Sequence, residues 1–211
     1  PGTPALDRQH RYRLFDILIR NKDETFVEEA KNQLLVERKR KQKIDGKEVE
    51  VMVTEIDSSV LSYLTGVLGA RSMPILSNIY DSPDLDDRQR GRIRGAAARY
   101  LGTNEDANAI VNGRFDESFQ WLTTTGDNQK KDRAKGMDNI RYYLGRLGEG
   151  RNVPTETLQQ RQQFLVNLRG KTNDKEVLAM MDKVDKRLKD MSDPEKAKKL
   201  DIRFSVSNRK R

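Results

Sequence analysis

Apolar residues recur every three to four positions along almost the whole chain, and that period leaves an all-α architecture as the expected fold. Leu6, Leu14, Phe15, Leu18 and Ile19 mark a first helix over roughly 5–20. Phe26, Val27, Ala30, Leu34 and Leu35 mark a second over roughly 24–41, with Asn21 or Asp23 as its cap. Arg38, Lys39, Arg40, Lys41 and Lys43 then fall where a helix C-terminus welcomes cations. Helical spacing returns after Asp57 and reaches the stripe of Val177, Met181, Val184 and Leu188. Ala107, Ile110 and Val111 suggest a short helix before Gly113, with Phe115 opening another run. Asp193-Pro194-Glu195 reads as a cap, a first-turn proline and an acid for a short last helix.

One stretch breaks the period. Val49, Val51 and Val53 alternate with Glu48, Glu50 and Met52, a two-residue repeat, just after the tight-turn dipeptide Asp45-Gly46. Lys39 to Ile44 is a poor partner strand, so 44–55 is expected as an extended or hairpin excursion between helices. A lone hairpin is marginal in water and must pack on the helices or on a partner. The chain therefore divides into an N-terminal helix pair (1–43), the excursion (44–56), helical repeats (57–192), and a short helix with a basic tail (193–211).

The 41 Lys+Arg exceed the 33 Asp+Glu, giving +8, and residues 151–211 carry 16 basic against 9 acidic side chains. With no cysteine and His10 alone, cysteine–zinc, iron–sulfur, thiol and His-rich metal chemistry are excluded. Neither a nucleotide-binding glycine loop nor a motif around His10 is present, so no catalytic, cofactor or metal residue is expected. No apolar run approaches the roughly 20 residues needed to span a bilayer. The chain opens Pro1-Gly2-Thr3-Pro4, which leaves the compartment open between the cytoplasm and a processed, exported form.

An internal period of 43 residues maps Tyr100-Leu101-Gly102 onto Tyr143-Leu144-Gly145, Leu76 onto Phe119 and Ile79 onto Leu122. A further shift of 44 maps Met137, Ile140 and Leu144 onto Met181, Val184 and Leu188. On these residues the chain resembles the HEAT-repeat proteins. The stretch Met73–Gly102 carries the resemblance, with Ile93-Arg94, Ala96-Ala97 and Leu101-Gly102 matching the family's second helix and Tyr100 departing from it. The resemblance implies a stack of antiparallel helix pairs that binds partners on an extended surface, and gives Arg94 a structural role.

Candidate partner contacts follow. Arg88, Arg90 and Arg92 alternate on one helix and divide between its two sides; each is a partner contact or a structural group. Trp121, the only tryptophan, is either core or a binding anchor. Lys47, Val49 and Val51 lie on an edge that could accept a partner strand. Arg203, Arg209, Lys210 and Arg211 sit in a segment from about 201 that is expected to be mobile and to attract an anionic surface. The function expected is a non-enzymatic protein-interaction scaffold or adaptor. The alternatives are a nucleic-acid-binding repeat protein using the basic C-terminal third, and a structural subunit of a larger assembly.

Overall fold

The computed structural model describes residues 8–150 and 152–206. It is mostly helical, with one small antiparallel sheet. The chain falls into two compact units, 1–93 and 94–211, whose boundary lies within a single helix.

The first unit opens with α1 (Arg8–Asn21) and the short α2 (Val27–Asn32). Two strands follow, β1 (Leu35–Ile44) and β2 (Lys47–Ile56), then α3 (Ser58–Leu68), a 3-10 turn, α4 (Met73–Tyr80) and the start of α5 (Asp87–Ala97). Leu18, Val27, Ala30, Leu34, Tyr63, Leu64, Met73, Leu76 and Ile93 are buried here. Asp57 stops β2 and starts α3, because its carboxylate accepts from the N–H groups of Ser59 and Val60. Phe15 stacks on Tyr63 at 4.9 Å between ring centres, fastening α1 to α3.

The second helix expected over 24–41 ends at Asn32, and the residues after it form a strand. β1 is therefore the partner strand that its composition disguised, and the paired region is 35–56 rather than 44–55. Its cations are opposed across the ladder by acids. Lys39 lies 4.0 Å from Glu50, Lys41 lies 3.8 Å from Glu48, and Arg40 pairs with Glu55. Asp45 and Gly46, at φ 51 and 80, make the two-residue turn, a left-handed pair that glycine enters at no steric cost.

The second unit holds the rest of α5 and a second 3-10 turn, then α6 (Glu105–Thr123), α7 (Gln129–Leu147), α8 (Thr155–Arg169), α9 (Lys175–Ser192) and α10 (Pro194–Ala197). α6 is one helix rather than two runs: Gly113 sits inside it on an open face, where propensity alone does not break a packed helix. Val111, Phe115, Ile140, Leu144, Leu165, Val177, Met181, Val184 and Leu188 form its core. Phe115 is surrounded by Phe119, Tyr143 and Phe164.

The expectation of a mobile segment from 201 is corrected for 201–206. Phe204 lies against Gly148, where a Cβ would fall 2.3 Å from its ring, so only glycine leaves the seat open. The Arg187 guanidinium lies over that ring at 5.6 Å and donates to the carbonyls of Gly148 and Asp201. Val206 is 2% exposed, and the Gly150 N–H donates to the Ile202 carbonyl at 3.0 Å. These residues form no strand. Arg209, Lys210 and Arg211 lie outside the described residues.

Candidate interaction surface

The most unusual feature of the first unit is its two-stranded ribbon. Ten residues per strand give a length of roughly 33 Å at about 3.3 Å per residue. Only its root is buried: Ile56 is 2% exposed, whereas Lys47 to Glu50 are all solvent-exposed. No third strand joins either edge among the described residues.

Alternation gives the ribbon two different faces. One carries Val49, Val51 and Val53, with Gln42, Arg40 and Arg38 directly across. The other carries Glu48, Glu50 and Met52, opposed by Lys43, Lys41 and Lys39. Val49 is 42% and Met52 57% exposed, large fractions for apolar side chains. The singled-out Lys47, Val49 and Val51 thus belong to one exposed strand, although Lys47 sits at the turn. Met52 shares the polar phase of the alternation with Glu48 and Glu50, so the sequence pattern does not mark it as a contact.

The ribbon root is clamped by α5. Gln89, 1% exposed, accepts from the Ile56 N–H through Oε1 at 3.2 Å. Arg92 donates to the Ile56 carbonyl at 3.0 Å and to Ser58 Oγ at 2.8 Å. Arg38 reaches Asp57 at 3.5 Å from the strand side. Arg92 is therefore a structural donor. Arg90 is another, donating to the Tyr80 and Ser82 carbonyls at 3.1 and 2.9 Å. Arg88 alone of the three is solvent-exposed. Arg94, 6% exposed, is buried as well. Gln89 carried no sequence signal, since a lone glutamine among arginines resembles any solvated helix face.

In the second unit Trp121 is half-buried, with Lys135 Nζ 4.0 Å and the Arg114 guanidinium 5.0 Å from its ring centre. Both cations are held by the ring quadrupole. A base stacking there would compete with these cations for the ring.

Residues 94–211 carry 25 basic and 17 acidic side chains, so the whole excess of +8 lies in this unit. Much of it is locally paired: Arg133 with Asp174 at 2.8 Å, Arg141 with Glu176 at 2.8 Å, Lys171 with Asp116 at 2.8 Å, and Arg169 with Asp182. A cavity of about 400 Å³ opens between α7 and the C-terminal segment, lined by Arg141, Tyr142, Arg146, Glu149, Arg203 and Phe204 among others. Two of its three arginines are paired to acids, Arg146 with Glu149 at 2.7 Å, leaving exposed Arg203 as its main uncompensated charge. Buried Arg187 is pushed below the ordinary arginine range by desolvation. Its task is to hold the segment down.

No group of three or more His, Asp or Glu among the described residues is placed to hold a metal ion. No described helix is long and apolar enough to cross a membrane. The chain matches no family model, no curated protein and no solved structure.

Proposed function

We propose that this chain is a non-enzymatic protein-interaction module in which the ribbon 35–56 is the docking element. The observation that carries this reading is the ribbon itself: two ten-residue strands with exposed apolar side chains and, among the described residues, no third strand beside them. Such an arm gains little for its own fold. A two-stranded sheet is marginal alone, and an unprotected edge invites pairing with another chain. Strand addition to that edge uses backbone hydrogen bonds for affinity and alternate side chains for specificity.

The finer reading of the helices, a HEAT-like stack of pairs, belongs to the same proposal. Supporting it, Met137, Ile140 and Leu144 on α7 and their 44-residue counterparts Met181, Val184 and Leu188 on α9 are all buried. In such a stack the helical layer of residues 94–211 offers a second contact surface of its own.

The test is to join Arg38 to Val53, a hydrogen-bonded pair like Ile44 and Lys47, through Asp-Gly, which shortens the ribbon and keeps its clamped root, Arg38 included. Helix content by circular dichroism should stay unchanged. Protein partners retained in affinity purification from the native source should be lost, with or without nuclease. Retention unchanged by the shortening would refute the docking role.

A second reading, nucleic-acid binding, is favoured by the charge of residues 94–211. Because 201–206 are packed, the test of this reading deletes 207–211 alone. Loss of Arg209, Lys210 and Arg211 would flatten the log–log salt slope on duplex DNA by about two to three units. The ion-paired arginines and the cations over the Trp121 ring count against this reading.

A further inference from the structure

We infer that the free edge of β2 pairs with the β2 edge of a second copy of this chain, closing a four-stranded antiparallel sheet centred on Val51. This deepens the proposed docking role of the ribbon and rests on it.

Which backbone groups face outwards follows from three contacts. A two-residue turn makes Ile44 and Lys47 a hydrogen-bonded pair, so every second residue from Lys47 bonds inwards. Asp57 keeps that parity, donating its N–H to the Leu34 carbonyl at 2.9 Å. Ile56 has the opposite parity, and its N–H and carbonyl are indeed taken from outside the ribbon, by Gln89 and Arg92. The outward groups of β2 are therefore those of Glu48, Glu50, Met52 and Thr54. Ile56 is already closed, so these four define the usable edge.

Those four positions are self-complementary. A twofold register through Val51 sets Glu48 against Thr54 of the other copy and Glu50 against its Met52, so no glutamate faces another. On the opposite face the same register sets Val51 against Val51 and Val49 against Val53. All three half-exposed valines then form one continuous apolar ladder. Lys39 and Lys41 already lie within 4.0 Å of Glu50 and Glu48 in the same ribbon. The β2 edge is thereby neutralised before it meets its copy.

The β1 edge has the reverse character. Its outward positions include Lys39, Lys41 and Lys43, and pairing with its own copy over several rungs sets lysine against lysine. Lysines at such positions are a common guard against strand addition. Pairing β1 with β2 of another copy would be head-to-tail, giving larger rings or filaments rather than a dimer. A β2–β2 contact is isologous and stops at two.

The chain has no cysteine, so single introduced thiols report the register directly. In the full-length protein, Val51→Cys places two thiols on a non-hydrogen-bonded pair with Cα atoms about 4.5 Å apart, inside the disulfide range. Val49→Cys sets its own copies four residues apart along the ladder, roughly 13 Å, which is too far. Mild oxidation should convert Val51→Cys to a covalent dimer and leave Val49→Cys monomeric. Sedimentation of the cysteine-free chain should show a monomer–dimer equilibrium. Met52→Pro, which removes an outward N–H used on two rungs, should weaken that equilibrium about tenfold or more with circular dichroism unchanged. Equal cross-linking of the two cysteine variants, a strictly monomeric chain, or growth into larger species would overturn the inference. A monomeric chain that still loses its protein partners on ribbon shortening would retain the docking role with a different occupant.

Discussion

Replacing Gln89 by leucine should loosen the ribbon at its root. The side chain is 1% exposed, and leucine is close to it in volume, so the main loss is the acceptor of the Ile56 N–H. A buried amide left without an acceptor costs about 1–3 kcal/mol, and the variant should lose stability in that range. Arg92→Met removes the donor of the Ile56 carbonyl and the contact with Ser58. Hydrogen bonds from a charged donor contribute about 1.5–3 kcal/mol, which sets its expected loss. Both side chains grip the same residue, so the double variant should fall short of the sum. Urea denaturation gives the stability, and residue-resolved hydrogen exchange reports the Ile56 amide. A loss below about 0.5 kcal/mol for Gln89→Leu, the range of an ordinary surface change, would refute the clamp. So would an Ile56 amide whose protection does not change.

Gly136→Ala should destabilise the second unit by about 1–3 kcal/mol, because its Cβ would stand 2.7 Å from the Ser118 carbonyl oxygen and force α6 from α7; thermal denaturation reads it. For Asp174, burial acts to raise the carboxyl, but the Arg133 hydrogen bond and the α9 N–H groups outweigh it and hold it below the ordinary 3.8. Its stabilisation is present above that ordinary value and is lost as pH falls through the lowered one. Asp174→Asn keeps a capping side chain, so its stability profile should be flatter than wild type below about pH 4. The emission of Trp121 should not respond to single- or double-stranded DNA at physiological salt, since Lys135 and Arg114 cover its ring. Quenching would favour the nucleic-acid reading instead.

The parts of this fold legible in the sequence are those set by neighbours in the chain. The stripe from Val177 to Leu188, the Asp193-Pro194 cap and the Asp45-Gly46 turn are all local patterns, and each stands where the pattern puts it. β1 was not legible. Lys39, Lys41 and Lys43 suit a helix end until Glu50 and Glu48, met only after the turn, balance them across the ladder. The C-terminal segment hid for the same reason: Phe204 is ordered by Gly148 and Arg187, far from it along the chain. Of the candidate contacts, Val49 and Val51 sit on the ribbon, whereas Arg90 and Arg92 turned inwards to carbonyls that no spacing rule reveals.

The central claim is that the β2 edge is open in the isolated chain and reserved for another strand. Hydrogen exchange at single-residue resolution tests it on dilute, monomeric protein. The account predicts fast exchange at Glu48, Glu50, Met52 and Thr54 and slower exchange at Val49, Val51 and Val53, whose N–H groups bond to β1. On association the first set should become as protected as the second. Protection of Glu48, Glu50, Met52 and Thr54 already in the dilute monomer would mean that the chain covers this edge itself, and would contradict the account.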